Sequence, residues 1–377
     1  MNPKKIQAIA RKEYYHLIRD FRSLYLAFII PLLLILLFGY ALSLDVEDIE
    51  TVVVDYDHTR QSREFIRRLD ASIYFNVMDH PVDRQSAVRY LDHNKAILAI
   101  VIPPGWTGNL KAERKSPLQI IIDGSDPNFA GSTRAYITAF VSAFNQNQLV
   151  TFLNRKGLEE IQAPVEGRIR VWFNEDLESR NFIVPGIIAI IIMIVGAVLT
   201  SLVIAREYEN GTMETILSLP VRPSEFLIGK AIPYFLIGLA DVLIAILMGQ
   251  LLFGVVMKSS FWLMVTASSI YLGVALCTGL LISILTKSQL VANQMAILVT
   301  YLPSLLLSNF VFPQENMPAV LKLISLIVPA TYFIDILNGL YLRNLALYQL
   351  WSSYLALLVM LFLLAVLNMA ALKKEGF

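Results

Sequence analysis

REYENGTMETILSLPVR, residues 206–222, lies between two long apolar runs, 182–205 and 225–253. A link between two helices needs only a few polar residues, whereas this one is punctuated throughout. Arg206 is placed to reach lipid headgroups, and Glu207 and Glu209 to sit in water. Asn210-Gly211 breaks the first helix. Thr212 is placed to cap a new short helix, with Glu214 in its first turn, where a carboxylate favours the positive end of the helix dipole. Met213, Ile216 and Leu217 give that helix an apolar side. Pro220 stops it and biases Leu219 away from helical backbone. Pro223 and Ser224 then open the next run. The expected product, over 206–224, is a short amphipathic helix held rigidly at the end of two spans, an element able to transmit force.

The flanking runs set the class. Of 377 residues, 56% are hydrophobic and 16% charged, more apolar than a soluble chain. A net charge of +1 leaves no excess of cations to neutralise a phosphate backbone, so nucleic acid is not an expected partner. The single cysteine, Cys277, excludes an internal disulfide and reads as a small packed residue.

A hydrocarbon core needs roughly 20 mostly apolar residues per helix. Six stretches qualify: 24–44, 182–205, 225–253, 261–286, 290–312 and 350–372. The first follows a basic segment and ends in Ala41-Leu42-Ser43, yet its apolar core is longer than that of a signal peptide, so it reads as a retained anchor. Lys and Arg collect before the first span, around the 206–224 link, at Lys287 and in the tail 373–377. The positive-inside rule then places both termini and the quoted stretch in the cytoplasm, and residues 45–181 outside. Residues 1–23 carry Ile6, Ile9, Ala10, Tyr14, Leu17, Ile18 and Phe21 at helical spacing among cations, the pattern of an interfacial helix lying on membrane lipid; Asn2 and Pro3 suit its start. After the fifth span, Phe312, Pro313, Met317 and Pro318 frame a turn. Two apolar runs too short to cross follow it within 313–348 and read as external re-entrant helices.

Residues 45–181 alternate strand-like runs (51–54, 97–102, 118–122, 169–173) with helical patterns (61–69, 83–91, 133–153), the last with Tyr136, Phe140 and Phe144 on one face. Continuous apolar strands imply burial on both faces, hence a small α/β domain with a parallel or mixed sheet. His58, His80 and His93 lie here without any ligand spacing such as HExxH, and no GxSxG is present, so no metal or catalytic site is expected. The fold class is an α-helical polytopic membrane protein with six transmembrane helices and an inserted extracytoplasmic α/β domain. Asp241, inside the third span, faces protein or water, because a carboxylate in hydrocarbon costs about 2.5–3.5 kcal/mol. It reads either as part of a translocation path or as a carboxyl bonded between helices.

The run from Arg206 to Glu214 followed by Leu217 and Pro220 resembles the signature of ABC-2 type export permeases, the membrane subunits of ATP-binding-cassette transporters. The resemblance extends to the amino-terminal helix, the large external domain, Pro185-Gly186 and the Phe312-Pro313 to Pro318 turn, and is nearest the bacterial multidrug-efflux branch. It implies an inner-membrane exporter of amphiphilic small molecules or drugs, paired with a second permease as homodimer or heterodimer. A cytoplasmic ABC ATPase subunit would bind ATP and Mg; this chain holds no cofactor of its own. A periplasmic adaptor is a further permitted partner. Arg206, Glu207, Glu209, Gly211, Thr212, Glu214, Leu217 and Pro220 become the ATPase-coupling residues, and 287–290 a second contact. No GxxxxGK[ST] loop occurs, since Gly229-Lys230 is followed by Ala231. Two other classes remain: an ion-gradient-driven secondary transporter, which would expect inverted repeats and several buried ionisable groups, and a membrane-anchored ligand sensor.

Overall fold

The computed structural model describes residues 2–41, 48–112, 114–156, 173 and 178–376. Helix α1 (Pro3–Arg19) starts where Asn2 accepts the Lys4 amide at 3.1 Å, with Pro3 supplying a pre-set φ. It stops at Asp20, and α2 (Phe21–Ala41) follows directly. At 1.5 Å per residue these 21 residues reach about 32 Å, the thickness of a hydrocarbon core. The helix begins before the predicted 24–44 start, and Leu42 to Leu44 lie outside the described residues. The apolar face predicted for the membrane surface is divided. Leu17 is buried and Ile6, Ile9 and Ala10 half-buried, while Tyr14 and Ile18 are exposed. Helix α1 also packs on a spanning helix, as set out below.

Residues 44–170 form a compact unit. Its elements are β1 (Ile49–Asp55), α3 (Arg60–Asp70), β2 (Phe75–Asp79), α4 (Arg84–Asp92), β3 (Leu98–Ile102), α5 (Trp106–Lys111), β4 (Gln119–Ile122) and α6 (Pro127–Lys156). The sheet order is β2-β1-β3-β4, with β1 parallel to β2 and β3, and β4 antiparallel to β3. Val53, Ile100, Phe65, Leu69 and Phe144 pack on one face, and Val52, Val54, Ala87, Ala99 and Val101 on the other. Burial on both faces is why β1 and β3 are continuous apolar runs. The edge strand β2 carries no such run, because Asn76 and Met78 point outward. Of the predicted strand at 169–173, only Phe173 is among the described residues.

The other unit holds residues 1–43 and 171–377. After α1 and α2 it comprises α7 (Arg180–Glu209), α8 (Thr212–Leu217), α9 (Pro223–Phe253), α10 (Phe261–Thr286), α11 (Gln289–Leu306), α12 (Ala319–Ser325), α13 (Pro329–Tyr341) and α14 (Leu347–Lys374). Among the described residues α7, α9, α10, α11 and α14 are long and apolar enough to span, and α12 and α13 form a pair bent by 78°. Helix α7 sits at the centre, its residues 183–193 almost all buried. Small residues let α10 approach it. A Cβ on Gly279 would stand 2.2 Å from the Ala197 carbonyl oxygen, so only glycine fits. Polar side chains lock the same seam: the Thr200 hydroxyl donates to the Leu276 carbonyl at 3.0 Å, and the Ser283 hydroxyl accepts from the Ala205 amide at 2.8 Å. The predicted fifth span, 290–312, is corrected at its end. Helix α11 stops at Leu306, just past Pro303, and Asn309 at φ 66° turns the chain away. Phe312, Pro313, Met317 and Pro318 therefore lie in the turn, lining an apolar groove of about 540 Å³ with Leu302 and Leu321.

Candidate functional site

Helix α7 is 30 residues long, about 45 Å, so its last turn projects beyond a hydrocarbon core and brings Arg206 to Glu209 into polar surroundings. Asn210 closes the helix and Gly211 follows at φ 70°. Nothing stands within 4 Å of a Cβ built there, so the left-handed backbone, not space, calls for glycine. The prediction that Thr212 caps α8 is corrected. Gly211 occupies the cap position with no side chain to offer, and Thr212 is the first helical residue. Its hydroxyl donates to the Glu207 carboxylate instead. Met213 is 2% exposed, and Ile216 and Leu217 pack against the same core, whereas Glu214 and Pro220 are exposed. The short helix is thus pinned along one side and bare along the other.

Glu207 is the centre of that pinning, and its predicted place in water is also corrected. It is 8% exposed, and its Oε1 accepts from Lys230 Nζ at 2.6 Å and Lys12 Nζ at 2.8 Å. Lys230 Nζ donates a second bond, also 2.6 Å, to Glu13 Oε1. Glu13 and Lys230 are 3% and 2% exposed. Two carboxylates therefore face two ammonium groups, with Lys12 on the rim. Burying these ions is tolerable only as a complete set, because removing one partner of a buried pair costs about 3–5 kcal/mol. Sequence reasoning missed Glu13 and Lys230. The available signal was Glu13 on the apolar stripe of α1, in line with Ile6, Ile9, Ala10 and Leu17, where a carboxylate needs a partner.

Arg206 meets protein partners at the end of α1. It is half-buried, with Nη1 3.0 Å from His16 Nδ1 and 3.8 Å from Asp20 Oδ2. On the adjoining side, Glu209 accepts from the Gln289 amide at 2.8 Å, which brings the 287–290 link beside the end of α7. Lys287 Nζ donates to Glu375 Oε2 at 2.6 Å, and the Tyr208 hydroxyl donates to the same oxygen at 3.1 Å. The Lys287 ammonium, aided by Tyr208, holds the Glu375 carboxyl below the usual carboxylate range.

The eight predicted coupling residues are thus gathered at one end of the bundle. Asp241 is separate, 11 residues beyond Lys230 on α9, or about 16 Å. It is 9% exposed, and its Oδ2 has no hydrogen-bond partner among the described residues. Phe312, Pro313, Met317 and Pro318 lie beyond the opposite end of α11, which itself starts beside Glu209.

A long α7, a glycine-capped α8 and the bent pair at the far end accompany a sequence that matches the ABC-2 family transporter protein model over residues 21–370. The chain belongs to this family. It is 33% identical over 342 residues to the probable multidrug ABC transporter permease YbhS of Escherichia coli K12, covering 90% of this chain and 89% of the relative. The probable multidrug ABC transporter permease YbhR of the same strain is 29% identical over 356 residues, 94% of each chain. The inner membrane transport permease YhhJ is 28% identical over 277 residues, 71% of this chain and 70% of the relative. A permease of this family is a multi-pass membrane subunit that works with an ATP-binding subunit and a second permease and has no ATPase site of its own.

Proposed function

We propose that this permease exports amphiphilic small molecules or drugs from the cytoplasm or the inner leaflet, driven by ATP hydrolysis on a separate subunit that binds ATP and Mg. The single observation that carries the reading is the support of α8. Thr212 hangs from Glu207, Glu207 is held by Lys230, and Glu214 is left exposed on the free side. A helix only six residues long has no stability of its own, so this anchoring serves to keep it stiff against a load. The ATPase docks on α8, with the 287–290 link as a smaller second contact. Closure of the paired ATPases then pushes α8 and, through the continuous α7, rearranges the spans. Both termini and α8 are cytoplasmic, and residues 45–181 lie outside, where they meet cargo or a periplasmic adaptor. Asp241 borders the translocation path, and the second permease is a copy of this chain or a sister chain.

Reconstituted with its ATPase, Glu214→Arg retains membrane insertion but loses drug-stimulated ATP hydrolysis and export. Undiminished export by that variant would defeat the coupling assignment.

A further inference from the structure

The main coupling residues lie between Arg206 and Pro220, yet the best-buried charged groups near α8, Glu13, Glu225 and Lys230, belong to other elements. Glu13 comes from α1, 217 positions from its partner Lys230 on α9. The pair is one of several ties between α1 and the α8–α9 region. The Asn2 amide donates to Glu225 Oε1 at 2.7 Å, and Glu225 is itself 2% exposed. Lys5 Nζ donates to the Pro220 carbonyl in the link that follows α8. Gly229 lies so close to α1 that a Cβ there would stand 2.7 Å from Ile9 Cβ and 3.2 Å from the Ile6 carbonyl oxygen. At the far end of α1, Arg206 meets His16 and Asp20. The contacts run along the whole helix, from Asn2 to Asp20. They are ionic and buried at the centre and close-packed beside it.

Lys230 occupies the crossing of these ties. Its ammonium bridges α1 through Glu13 and α7 through Glu207, and Glu207 carries the first residue of α8. Sliding α1 along α9 by one turn, about 5.4 Å, would bury unpaired charges and drive Ile9 into backbone other than Gly229. Tipping α8 without α1 would break the part-buried Thr212–Glu207 bond or, if Glu207 followed α8, the buried Glu207–Lys230 pair. Buried ionic contacts and interlocked backbones behave as all-or-none joints, not as springs.

We propose that Lys230 and Glu13 are positioning residues of the transport cycle, which make the amino-terminal helix α1 part of the same rigid lever as α8. The inference rests on the coupling assignment above. On this view α1 is no stationary lipid anchor. It travels with α8, and because α2 follows α1 after Asp20 alone, the stroke enters the bundle through α2 as well as through α7.

The test uses pairs of spin labels in the full chain with its ATPase, in a Cys277→Ser background. Labels at Ala8→Cys and Thr215→Cys, both exposed positions, report α1 against α8; labels at Thr215→Cys and Val359→Cys report α8 against α14. On trapping with ATP and vanadate, the Thr215–Val359 distance shifts while the Ala8–Thr215 distance stays narrow and unchanged. Lys230→Met broadens the Ala8–Thr215 distribution and lets it shift with nucleotide, and Lys230→Arg, which keeps the charge, restores the narrow form. Glu13→Gln, the milder change, broadens it in the same direction and serves where Lys230→Met fails to assemble. A purely structural pair would lower the melting temperature of these variants without letting α1 and α8 separate, and that result overturns the inference. So does an Ala8 label that stays behind when Thr215 moves in the native chain, an outcome that leaves the coupling assignment intact. A Thr215–Val359 distance indifferent to ATP removes both.

Discussion

Helix α9 buries Lys230 and, 11 residues on, Asp241, and the two are treated in opposite ways. Lys230 is surrounded by two carboxylates at 2.6 Å, whereas Asp241 has a carboxylate oxygen with no hydrogen-bond partner among the described residues. The first arrangement is complete, so any change in its charges leaves an ion stranded in low dielectric. The second leaves capacity unused, in keeping with the proposed place of Asp241 beside the translocation path. Pairing, more than burial, separates a joint from a contact surface.

Four substitutions put that contrast at risk, from the largest effect to the smallest. Lys230→Met strands the buried Glu13, leaves Glu207 to Lys12 on the rim, and lowers the unfolding free energy by about 3–5 kcal/mol, readable in the thermal melt of the purified complex. Adding Glu13→Gln to it recovers about 0.5–3 kcal/mol of that loss, the signature of coupled neighbours; strictly additive effects would mean that the two groups do not share a network. Gly211→Ala forces a side chain into φ 70° and costs about 1–2 kcal/mol, with no clash to relieve. Asp241→Asn, which breaks no bond to Oδ2, changes stability by less than about 1 kcal/mol and, on the proposed reading, alters substrate selection in a transport assay. A melt as damaged as that of Lys230→Met would show that Asp241 is a joint after all.

The tail adds the weakest case and a pH dependence. Lys287 and Tyr208 depress the Glu375 carboxyl below its ordinary value of 4.5. A depressed acid contributes stability that is fully present above that ordinary value and is lost as pH falls through the lower, folded one. Melting curves of the native chain and of Glu375→Gln therefore differ at pH 7, by less than about 1 kcal/mol for so exposed a pair, and converge as pH falls through the lowered, folded value.

Much of this was legible in residue order. Pro223 opens α9, Gly211 breaks the chain at a left-handed turn, and α10 spans Phe261–Thr286, the stretch its apolar run marks. Buried strands β1 and β3 could be read because they are apolar on both faces, while β2 escaped because its outward residues dilute the pattern. Around α8 the backbone was read better than the side chains. Thr212 and Glu207 look like a cap and a solvated acid from their neighbours alone, yet they bond to each other, because the last turn of α7 and the first of α8 fold back across Gly211. That Arg206 meets His16 and Asp20 could not be read from its neighbours in sequence.

Residue order alone determined where this chain is apolar enough for lipid and where it turns, because hydrophobic length, proline and glycine act over a few neighbouring residues. It also held the family signature, which is local. Only the tertiary structure decided that Glu13, Glu207 and Lys230 form one ionic joint and that Asp241 does not belong to it. The physical reason is that a buried charge is satisfied by whichever distant helix face packs against it. Here that face is α1, admitted by the missing side chain of Gly229.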